Sequence, residues 1–394
     1  MRTQVGIVGA GPAGLLLSQL LHLQGIESVV LEARHRGYVE HRVRAGVLEH
    51  GTVETLHEAG VGKRMDAEGL AHDGTILRFA QHSHRIDFRE LTGRNIVVYG
   101  QQEVVKDLIA ARLEVGGDLL FEVADVTLHD LDTSRPRIDF EHEGAAQSLD
   151  CDFVIGADGS RGVSRGYLVD AMNYERAYPF AWLGILAEAP PSSRELIYAR
   201  HRNGFALHSM RSPAITRMYL QVHPDEDIVE WPDERIWAEL HTRLAGDAGF
   251  ALTEGPLLDK SVTPMRSFVS GSMQRGRLFI AGDAAHIVPP TGAKGMNLAV
   301  ADVRLLSHAL GGYYADRRTD LLDAYTGVAL QRVWRATHFS WWMTAMLHVS
   351  PDADEFSEQL ALAQLRYVAT STAMATALAE NYTGLPYTEG WSYR

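Results

Sequence analysis

The stretch Val5-Gly-Ile-Val-Gly-Ala-Gly-Pro-Ala-Gly14 decides the fold of this chain. It starts as an apolar run typical of a buried strand, and its glycines precede an apolar helical pattern from residue 15 to 23. A second apolar run follows from residue 28 to 32. Strand, glycine turn, helix and strand in this order predict a βαβ unit with parallel strands at the start of the chain.

The spacing of the three glycines has a physical purpose. In such a turn the first glycine (Gly9) permits a tight bend, the second (Gly11) lets backbone approach a pyrophosphate, and the third (Gly14) lets helix pack close to strand. The positive end of the helix then faces the phosphates. Glu32 ends the second strand, where an acid can accept the ribose hydroxyls of an adenosine. The unit therefore predicts a dinucleotide site, the alternative being a glycine turn without a ligand.

Composition excludes several other classes of protein. With 394 residues, 46% of them hydrophobic, the chain should form two or three domains. Its net charge of −13 disfavours a broad nucleic-acid or anionic-membrane surface. The single cysteine, Cys151, can form neither an intramolecular disulfide nor a multi-cysteine metal site, so we predict no metal and a reducing, cytoplasmic location.

Residues 3 to 26 carry no Asp, Glu, Lys or Arg, as a signal peptide or membrane span would. The glycines interrupt this run where a spanning helix would be continuously apolar, so we expect no membrane segment. Further along, residues 45 to 59 read as one helix. Long helical patterns also cover residues 297–310, 321–347 and 355–379.

Two later apolar runs also end in glycine turns. Residues 151–155 lead into Gly156-Ala-Asp-Gly159, and residues 278–281 lead into Gly282-Asp283 and the loop Pro289-Pro-Thr-Gly-Ala-Lys-Gly295. Between them, from about residue 177 to 264, short strands alternate with turns. This change of pattern predicts a separate sheet inserted into the first domain.

These three glycine turns, in this order, resemble those of the flavoprotein aromatic hydroxylases, single-chain FAD monooxygenases that use a nicotinamide nucleotide and O₂. The resemblance spans nearly the whole chain. Its most specific stretches are Arg42-Val-Arg-Ala-Gly-Val-Leu48, Glu195-Leu-Ile-Tyr-Ala199, Pro264-Met-Arg-Ser-Phe268, Gly282-Asp-Ala-Ala-His-Ile-Val-Pro-Pro-Thr-Gly-Ala-Lys-Gly295 and Asn381-Tyr-Thr-Gly-Leu-Pro-Tyr387.

The resemblance implies a mixed α/β fold with a discontinuous, Rossmann-like FAD-binding domain. That domain would comprise residues 1–73, 97–176 and 265–300. A substrate-binding β-sheet domain would comprise residues 74–96 and 177–264, and a helical C-terminal region residues 301–394. A homodimer is also implied, although nothing in the sequence locates the interface.

The resemblance also assigns the residues that hold FAD. The adenosine and pyrophosphate side falls on the first glycine turn and the segments after it: Gly9, Gly11, Ala13, Gly14, Glu32, Arg42, Arg44, Ala45, Gly46, Val47 and Gln101. Asp283 would bind the ribityl chain, and Asp158 and Gly159 would lie near both FAD and nicotinamide. The helix that starts at Gly295, Met296 and Asn297 would direct its positive end at the N1–C2 edge of the flavin.

A carboxylate on the substrate needs a fixed cation, and the planar fork of Arg can bind both of its oxygens. Ser209 and Arg211 lie two residues apart on one predicted strand, so both side chains face the same side. By resemblance they bind a benzoate carboxylate with Tyr219, while Arg217 lies toward the flavin and Met210 lines the pocket. The alternative is a surface strand with solvated arginines.

Family members hydroxylate a phenolate through a flavin C4a-hydroperoxide, which must be kept from water. A phenol and a tyrosine both have pKa values near 10, so a hydrogen-bonded relay can stabilise the phenolate and pass its proton to solvent. By resemblance Tyr198 bonds the substrate hydroxyl, Tyr382 bonds Tyr198, and His72 connects the relay to bulk water. The Pro290 carbonyl would accept from the same hydroxyl.

The nicotinamide nucleotide site is the part of the chain that departs from the family. The commonest family pattern is broken at Ala33, Arg34 and His35, in the segment where members contact the 2′-phosphate of NADPH. Arg161 replaces the usual His. The predicted contacts are Arg34, Tyr38, Arg44, Arg161, Arg165 and Arg266. Because Arg34 and Arg36 are cations at shifted positions, we predict that both NADPH and NADH are used.

The reaction implied is hydroxylation of 4-hydroxybenzoate to 3,4-dihydroxybenzoate with NAD(P)H and O₂. One alternative is another small aromatic acid, such as 3-hydroxybenzoate or 4-aminobenzoate; the tyrosines at 198 and 382 favour a para-phenol. A second alternative is a non-catalytic binder on the same fold, like the GDP-dissociation inhibitors. The acidic residues at 32, 158 and 283 argue against that alternative.

Overall fold

The computed structural model describes residues 1–42, 46–169, 171–247 and 249–385. The strands are β1 (Val5–Val8), β2 (Ser28–Leu31), β3 (Val47–Leu48), β4 (Leu70–His72), β5 (Gly74–Phe79), β6 (His82–Asp87), β7 (Ile96–Val98), β8 (Asp118–Leu120), β9 (Ala124–His129), β10 (Arg137–His142), β11 (Ala145–Asp150), β12 (Phe153–Gly156), β13 (Asn173–Ala187), β14 (Ile197–His201), β15 (Gly204–Ser212), β16 (Ile215–Val222), β17 (Leu257–Ser270), β18 (Gln274–Arg275), β19 (Leu278–Ile280) and β20 (His286–Ile287).

The helices are α1 (Pro12–Leu23), α2 (Arg36–His41), α3 (His50–Glu58), α4 (Lys63–Glu68), α5 (Phe88–Thr92), α6 (Gln101–Glu114), α7 (Asp233–Arg243), α8 (Gly295–Asp316), α9 (Asp320–Leu347), α10 (Glu355–Thr370) and α11 (Thr372–Thr383). Short 3₁₀ helices lie at Gly159–Arg161, Ser164–Tyr167, Ile228–Glu230, Gly282–Ala284 and Pro290–Gly292. Within the described residues, none of these helices is both long and apolar enough to cross a membrane.

A six-stranded sheet in the order β18-β19-β12-β1-β2-β8 forms the centre of the first region. The strands from β19 to β8 run parallel, with Val5 opposite both Ser28 and Phe153. All residues of β1, β2 and β12 are buried, as expected where helices cover both faces of a parallel sheet. The mixed α/β fold with its initial βαβ unit is therefore confirmed.

An eight-stranded sheet forms the second region, in the order β20-β17-β13-β16-β15-β14-β5-β6. Most neighbours are antiparallel, but β14 and β5 are parallel, which brings residues 74–87 beside the sheet formed by later strands. Strands β13 and β17 pair from Asn173 opposite Ser270 to Ala187 opposite Leu257. These continuous strands span the boundaries predicted at residues 176 and 264, because a hydrogen-bonded ribbon connects the two regions instead of a linker.

Helices α8 to α11 make up the C-terminal region, and its predicted helical character is confirmed. The pattern predicted as one helix over 355–379 is two helices. Ser371 is extended, with φ −103° and ψ 117°, and its side chain accepts from the Met374 amide, so it ends α10 and caps α11. The helix predicted from residue 45 starts only at His50, because Val47 and Leu48 pair with β7.

Candidate active site

The three glycine turns meet at the carboxyl ends of the parallel strands. A Cβ on Gly9 would lie 2.4 Å from the Ala157 carbonyl oxygen, so the first turn touches the second. A Cβ on Gly282 would lie 3.6 Å from Ala13 and 3.2 Å from Ala299, so the third turn touches the starts of both α1 and α8. This convergence places the predicted phosphate, ribityl and flavin contacts along one edge, where ligands of open α/β sheets bind.

The three glycines of the first turn differ in what surrounds them. Gly9 has a φ of +107°, which favours glycine, and a Cβ on Gly14 would lie 2.0 Å from the Gly9 carbonyl oxygen. At Gly11 a Cβ would meet nothing within 4 Å. Gly9 and Gly14 are thus required for the turn itself, whereas Gly11 faces open space. The Glu32 carboxylate accepts from the Ala10 amide at 2.8 Å and from the Arg34 amide at 2.9 Å, which holds the acid beside the turn.

Asp158 presents a buried oxygen without a partner in the described residues. Its Oδ2 accepts from the Ser164 amide at 2.9 Å, whereas Oδ1 has no hydrogen bond. Burial raises the pKa of this carboxyl. Because an orphaned buried acceptor is costly, a ligand hydroxyl or amide at this position would stabilise it.

Arg165 joins the second turn to the third. Its Nε donates to the Ala284 carbonyl at 2.7 Å and its Nη2 to the Asp283 carbonyl at 2.5 Å, and the guanidinium lies over the Phe268 ring. Burial, together with neighbouring Arg266, lowers its pKa. The Asp283 side chain itself is exposed, as are Arg161 and Arg266.

Asn297 fixes the start of α8 against the first region. Its Oδ1 accepts from the Glu49 amide and the Thr52 hydroxyl, at 2.9 and 2.7 Å. Its Nδ2 donates to the Val47 and Ala293 carbonyls, at 2.9 and 2.8 Å. Asn297 therefore holds the start of α8 in place through these four hydrogen bonds. Beside it, Gly295 faces open space and Met296 is partly buried.

The segment before β3 passes close to the start of α6. A Cβ on Gly46 would lie 2.2 Å from the Tyr99 carbonyl oxygen, and the Tyr99 amide donates to the Gly46 carbonyl at 2.7 Å. This contact brings Gly46 and Val47 near Gln101, the first residue of α6. Arg42 ends α2 and is exposed. Arg44 and Ala45 lie outside the described residues.

These features fit an FAD. The open faces of Gly11, Gly159 and Gly295 lie along one edge, with room for a ligand backbone. The orphaned Asp158 oxygen is an acceptor for a polar group of that ligand. The positive end of α8 points at the same edge and favours negative charge there.

Two of the residues predicted to bind substrate, Tyr198 and Tyr219, lie in one row across the eight-stranded sheet. Tyr198 lies opposite Leu207, Leu207 opposite Tyr219, and Tyr219 opposite Gly184. Residues opposite one another share a face, so the two tyrosines face the same side. Gly184 makes room for its neighbours, because a Cβ there would lie 2.6 Å from Arg217 Nη2 and 3.3 Å from Tyr219. No sequence pattern predicted this role of Gly184.

Arg211 lies outside this row, four residues after Leu207 on β15, and its guanidinium is close to the Tyr219 hydroxyl. Its Nη1 contacts the Ser209 hydroxyl at 3.3 Å and the Met210 carbonyl at 3.2 Å, while its Nε is buried without a hydrogen bond. Among the described residues no carboxylate pairs with it. Burial lowers its pKa and the nearby Tyr219 hydroxyl raises it. An arginine stays protonated even so, and a buried cation without a counter-ion favours an anionic ligand.

Arg217 differs from Arg211 in having an acidic neighbour. It lies opposite Ser209 on β16, and its Nη1 is 3.5 Å from Asp259 Oδ2. Its Nε has no hydrogen bond within the described residues, and its guanidinium lies 5.3 Å from the centre of the Tyr219 ring. Arg217 therefore lies on the same strand face as Tyr219, two residues before it on β16.

Tyr198, where the row ends on β14, forms a buried pair with Tyr382. Their hydroxyl oxygens are 2.5 Å apart, and both side chains are about 1% exposed. Burial raises the pKa of each phenol above its usual value. Tyr382 lies on α11 and stacks on Phe88 at 5.0 Å. A long-range contact thus assembles the predicted pair across 184 residues.

His72 is more buried than an outlet to water would suggest. It ends β4, is 2% exposed, and its Nδ1 has no hydrogen bond within the described residues. Burial lowers its pKa to about 4, although Glu195 and Asp73 partly oppose this. The imidazole is therefore neutral at pH 7, and it could pass a proton only by accepting at one nitrogen while donating from the other. No hydrogen bond to Tyr198 or Tyr382 is present in the described chain.

Pro290 lies in the 3₁₀ turn that precedes α8. Its carbonyl oxygen accepts from the Ala293 amide at 2.9 Å, and Ala293 adopts a left-handed φ of +53°. A carbonyl has two lone pairs, so this oxygen can also accept from a ligand hydroxyl. The turn is held by the Thr291 hydroxyl, 2.8 Å from that of Thr344 on α9.

A buried ionic cluster supports Tyr382, and no sequence pattern predicted this cluster. Glu49 pairs with Lys294 at 2.6 Å and with Arg332 at 3.0 Å, and all three are less than 8% exposed. Lys294 Nζ also donates to the Tyr382 carbonyl at 3.1 Å. Burial lowers the pKa of Lys294, while Glu49 opposes this. Lys294 lies in the loop from Pro289 to Gly295 that carries part of the family resemblance, but no local pattern indicated its partners.

Residues predicted to contact the nicotinamide nucleotide form two groups. The guanidiniums of Arg34 and Arg42 lie 5.5 and 5.9 Å from the centre of the Tyr38 ring. Arg36 is instead paired with Glu40 at 2.7 Å. Arg161, Arg165 and Arg266 make up the second group, beside the 158 and 283 turns.

Comparison with known proteins agrees with this geometry. Residues 2–340 match the family described as FAD binding domain. A p-hydroxybenzoate hydroxylase of Acinetobacter baylyi is 46% identical over 390 residues, covering 98% of this chain and 96% of the relative. A 3-(3-hydroxy-phenyl)propionate/3-hydroxycinnamic acid hydroxylase of Mycobacterium avium is 26% identical, covering 82% of this chain but only 57% of the longer relative.

A solved structure, the p-nitrophenol 4-monooxygenase of Pseudomonas putida DLL-E4, superposes with a TM-score of 0.84 at 18% identity, covering 97% of this chain and 99% of that one. At that identity the likeness shows the fold alone. The fold and the converging glycine turns define a flavoprotein. The chain belongs to the FAD-binding domain family, and FAD is its cofactor.

Proposed function

We propose that this flavoprotein hydroxylates 4-hydroxybenzoate to 3,4-dihydroxybenzoate, with NAD(P)H and O₂ as co-substrates. The observation that carries the proposal is the position of Tyr219, which shares a row of the sheet with Tyr198 and has its hydroxyl close to Arg211, a partly buried cation that pairs with no carboxylate among the described residues. A cation at one end and phenolic hydroxyls at the other match a para-hydroxylated aromatic acid. The name of the 46% identical relative supports the same substrate.

At the carboxylate end, Arg211 would bind both oxygens of the substrate, with the Ser209 and Tyr219 hydroxyls as further donors. Met210, 2% exposed, contributes its carbonyl to the Arg211 guanidinium and orients it. Arg217 adds positive charge toward the flavin. Because Arg211 is partly buried and its Nε has no hydrogen bond among the described residues, part of its desolvation cost is met before substrate arrives.

At the phenol end, Tyr198 would donate to the substrate oxygen as it becomes a phenolate, with the Pro290 carbonyl accepting from the neutral hydroxyl. The substrate proton would pass to the Tyr198 oxygen while the Tyr198 proton passes to the Tyr382 oxygen, 2.5 Å away, and the Tyr382 proton moves on, so that Tyr198 again carries the hydrogen that it donates to the phenolate. His72 would complete the route to solvent. A phenolate is the better nucleophile for ring hydroxylation, so this relay controls the rate of the chemical step.

FAD, when bound, accepts hydride from NAD(P)H and activates O₂ for transfer of one oxygen atom to the ring, the other atom leaving as water. The residues proposed to hold it are those of the glycine turns and of the α8 start, described above. Trp182, Leu196, Leu207 and Met210 line the buried side of the substrate sheet, where they exclude water. Arg34, Tyr38 and the arginines at 161, 165 and 266 would hold the nicotinamide nucleotide.

The test is oxidation of NADH and of NADPH by the purified yellow protein, with and without 4-hydroxybenzoate, together with O₂ uptake and product analysis. We expect substrate to speed oxidation and 3,4-dihydroxybenzoate to form in near-equal amount. We also expect both nucleotides to work, with specificity constants within about 100-fold, or about 2.7 kcal/mol. A larger ratio would show that the shifted arginines do select one nucleotide.

Two other results would change the assignment. Stimulated oxidation that yields only H₂O₂ would point to another aromatic acid, for which 3-hydroxybenzoate and 4-aminobenzoate are the first to test. A colourless protein that binds no flavin would point instead to a non-catalytic binder, which the family relationship disfavours.

We further propose the three-part domain division given above, and a cytoplasmic location, supported by one buried reduced cysteine.

We also propose a homodimer formed through the C-terminal helices. Phe356, Leu360 and Tyr367 are 71%, 57% and 55% exposed and share one face of α10. Trp334 and Trp341, on the adjacent α9, are 42% and 38% exposed. A group of large exposed apolar side chains is typical of an interface. Light scattering should give twice the monomer mass, and Phe356→Glu should shift it toward monomer; a wild-type monomer would contradict the proposal.

A further inference from the structure

His348, at the end of α9, packs beside the proposed substrate row. Its Nε2 is 2.7 Å from Trp182 Nε1, and its Nδ1 is 3.1 Å from the Thr344 carbonyl. An indole N–H can only donate, so Nε2 must accept and the imidazole proton must sit on Nδ1. The ring therefore has one tautomer and one orientation. Burial keeps its pKa near 3, so it stays neutral and takes no part in proton transfer at pH 7.

Aromatic packing fixes the plane of this ring. It stacks against Phe180 at 4.6 Å and against Phe205 at 4.4 Å, with interplanar angles of 15° and 24°. It is also nearly coplanar with Trp182, at 9°. A side chain held by stacking on both faces and by a hydrogen bond at each nitrogen cannot change rotamer without losing several contacts at once.

The backbone at this helix end is clamped to the same sheet. Arg200 Nη1 donates to the His348 carbonyl at 2.6 Å. The Gln221 amide makes two hydrogen bonds to Val349, at 2.5 and 3.0 Å. Arg200 lies opposite Phe205, and Gln221 opposite Trp182. These four residues form a second row across the sheet, next to the row that contains Tyr198 and Tyr219.

Trp182 connects His348 to the carboxylate end of the substrate site. Its ring packs on Tyr219, with centroids 4.7 Å apart, and on Phe205 at 5.2 Å. On the other side of His348, Thr344 contacts Thr291 in the turn that carries the Pro290 carbonyl. One line of hydrogen bonds and ring contacts thus runs from Tyr219 through Trp182, His348 and Thr344 to this turn.

We propose that His348 is a positioning residue, which holds Trp182 and the Pro290 turn in register and so sets the two ends of the substrate site for a para-substituted benzoate. This inference rests on the proposed function. His348 is not among the residues proposed to contact substrate or flavin. Its loss should therefore weaken substrate binding and coupling, and leave FAD binding and nucleotide binding unchanged.

Two substitutions separate the hydrogen bonds of His348. Asn places its amide near the position of Nδ1, so His348→Asn retains a donor to Thr344 and leaves the Trp182 indole without an acceptor. Gln reaches the position of Nε2, so His348→Gln restores that acceptor. Trp182→Phe removes the same bond from the other side. His208→Asn is the matched control. His208 is also fully buried, and its Nε2 accepts from a backbone amide. As the neighbour of Leu207 on β15, however, it faces the opposite side of the sheet from the substrate row.

The experiment titrates each FAD-loaded variant with 4-hydroxybenzoate, following the flavin spectrum, and then measures dihydroxybenzoate formed per NAD(P)H oxidised. We expect His348→Asn to raise the substrate Kd about tenfold and to lower coupling, and His348→Gln to stay within about threefold of wild type. His208→Asn should keep the wild-type Kd. The double variant Trp182→Phe/His348→Asn should have a substrate Kd no higher than that of the weaker-binding single variant, because both substitutions remove the same hydrogen bond.

The outcomes are separable. Wild-type affinity in His348→Asn, equal losses in His348→Asn and His208→Asn, or independent effects of the Trp182 and His348 changes would overturn the inference. If His348→Asn does not fold, His348→Gln and Trp182→Phe still decide it: unaltered binding in Trp182→Phe would be a contradiction. If wild type fails to bind 4-hydroxybenzoate, the proposed function itself is wrong, and the inference is overturned with it.

Discussion

At the scale of single residues, the surroundings of each side chain in the proposed substrate site determine its protonation state. Tyr198 and Tyr382 are neutral at working pH, since burial raises the pKa of both phenols. Arg211 remains a cation, since an arginine cannot be deprotonated in a protein. The sequence predicted these three residues through their family resemblance. Their burial and their partners became visible only in the fold.

Removing the hydroxyl of Tyr198 tests the relay. We expect Tyr198→Phe to reduce its flavin nearly as fast as wild type in the presence of substrate, but to hydroxylate at least about tenfold more slowly, because the phenolate loses a donor. The diverted electrons should appear as H₂O₂. Tyr314→Phe, which removes a hydroxyl bonded to Asp152 in the first region, is the control. Unchanged coupling in Tyr198→Phe would exclude the residue from the relay.

Replacing Arg211 by Lys tests the carboxylate anchor. The charge is kept, but the planar fork that can bind two oxygens is lost. We expect the substrate Kd to rise more than about tenfold, or about 1.4 kcal/mol, in a spectral titration. Arg235→Lys, at an exposed arginine on α7, should bind substrate normally. Tight binding by Arg211→Lys would move the anchor to another cation.

At the scale of elements, the first βαβ unit combines local and long-range demands. The positive φ of Gly9 and the contact between Gly14 and the Gly9 carbonyl belong to the unit itself, so the sequence pattern predicted them. The strand at 47–48 was missed and a helix predicted instead, because its pairing partner, β7, lies about 50 residues away. Local propensity does not include such pairing.

The different surroundings of Gly14 and Gly11 yield a paired prediction. Gly14→Ala would place a Cβ 2.0 Å from backbone, so we expect a loss of stability of several kcal/mol or no folded protein. Gly11→Ala meets nothing within 4 Å, so the fold should survive while FAD binding weakens, because the methyl group occupies the space for the pyrophosphate. Thermal unfolding and FAD content distinguish the two effects. Retention of full FAD in Gly11→Ala would place the pyrophosphate elsewhere.

At the scale of the whole molecule, three buried neutral histidines connect stability to pH. Burial lowers the pKa of His72 and His208 to about 4 and that of His348 to about 3, from 6.5. The unfolded chain then binds more protons than the folded one below pH 6.5. Stability is therefore present above that pH and is lost as pH falls from 6.5 toward 4.

This dependence can be measured at one histidine. His208→Gln keeps an acceptor for the Ser192 amide but cannot be protonated. Between pH 6.5 and 4.5, the free energy of unfolding should fall less steeply in this variant than in wild type, by at most about 1.4 kcal/mol per pH unit. His22→Gln, at an exposed histidine of α1, should leave the slope unchanged. Urea unfolding at several pH values gives both slopes, and identical slopes for His208→Gln and wild type would show that folding does not lower the pKa of His208.

The sequence alone determined the parallel βαβ core and its dinucleotide site, because a glycine turn between strand and helix is a local pattern, and its family resemblance implied FAD and the residues proposed for both ends of the substrate site. Tertiary structure decided what those residues touch. It joined Tyr198 to Tyr382 across 184 residues, buried Glu49 between Lys294 and Arg332, and placed His348 against Trp182, beside the proposed substrate row. Such contacts depend on how distant elements pack, and burial then sets the charge of each group.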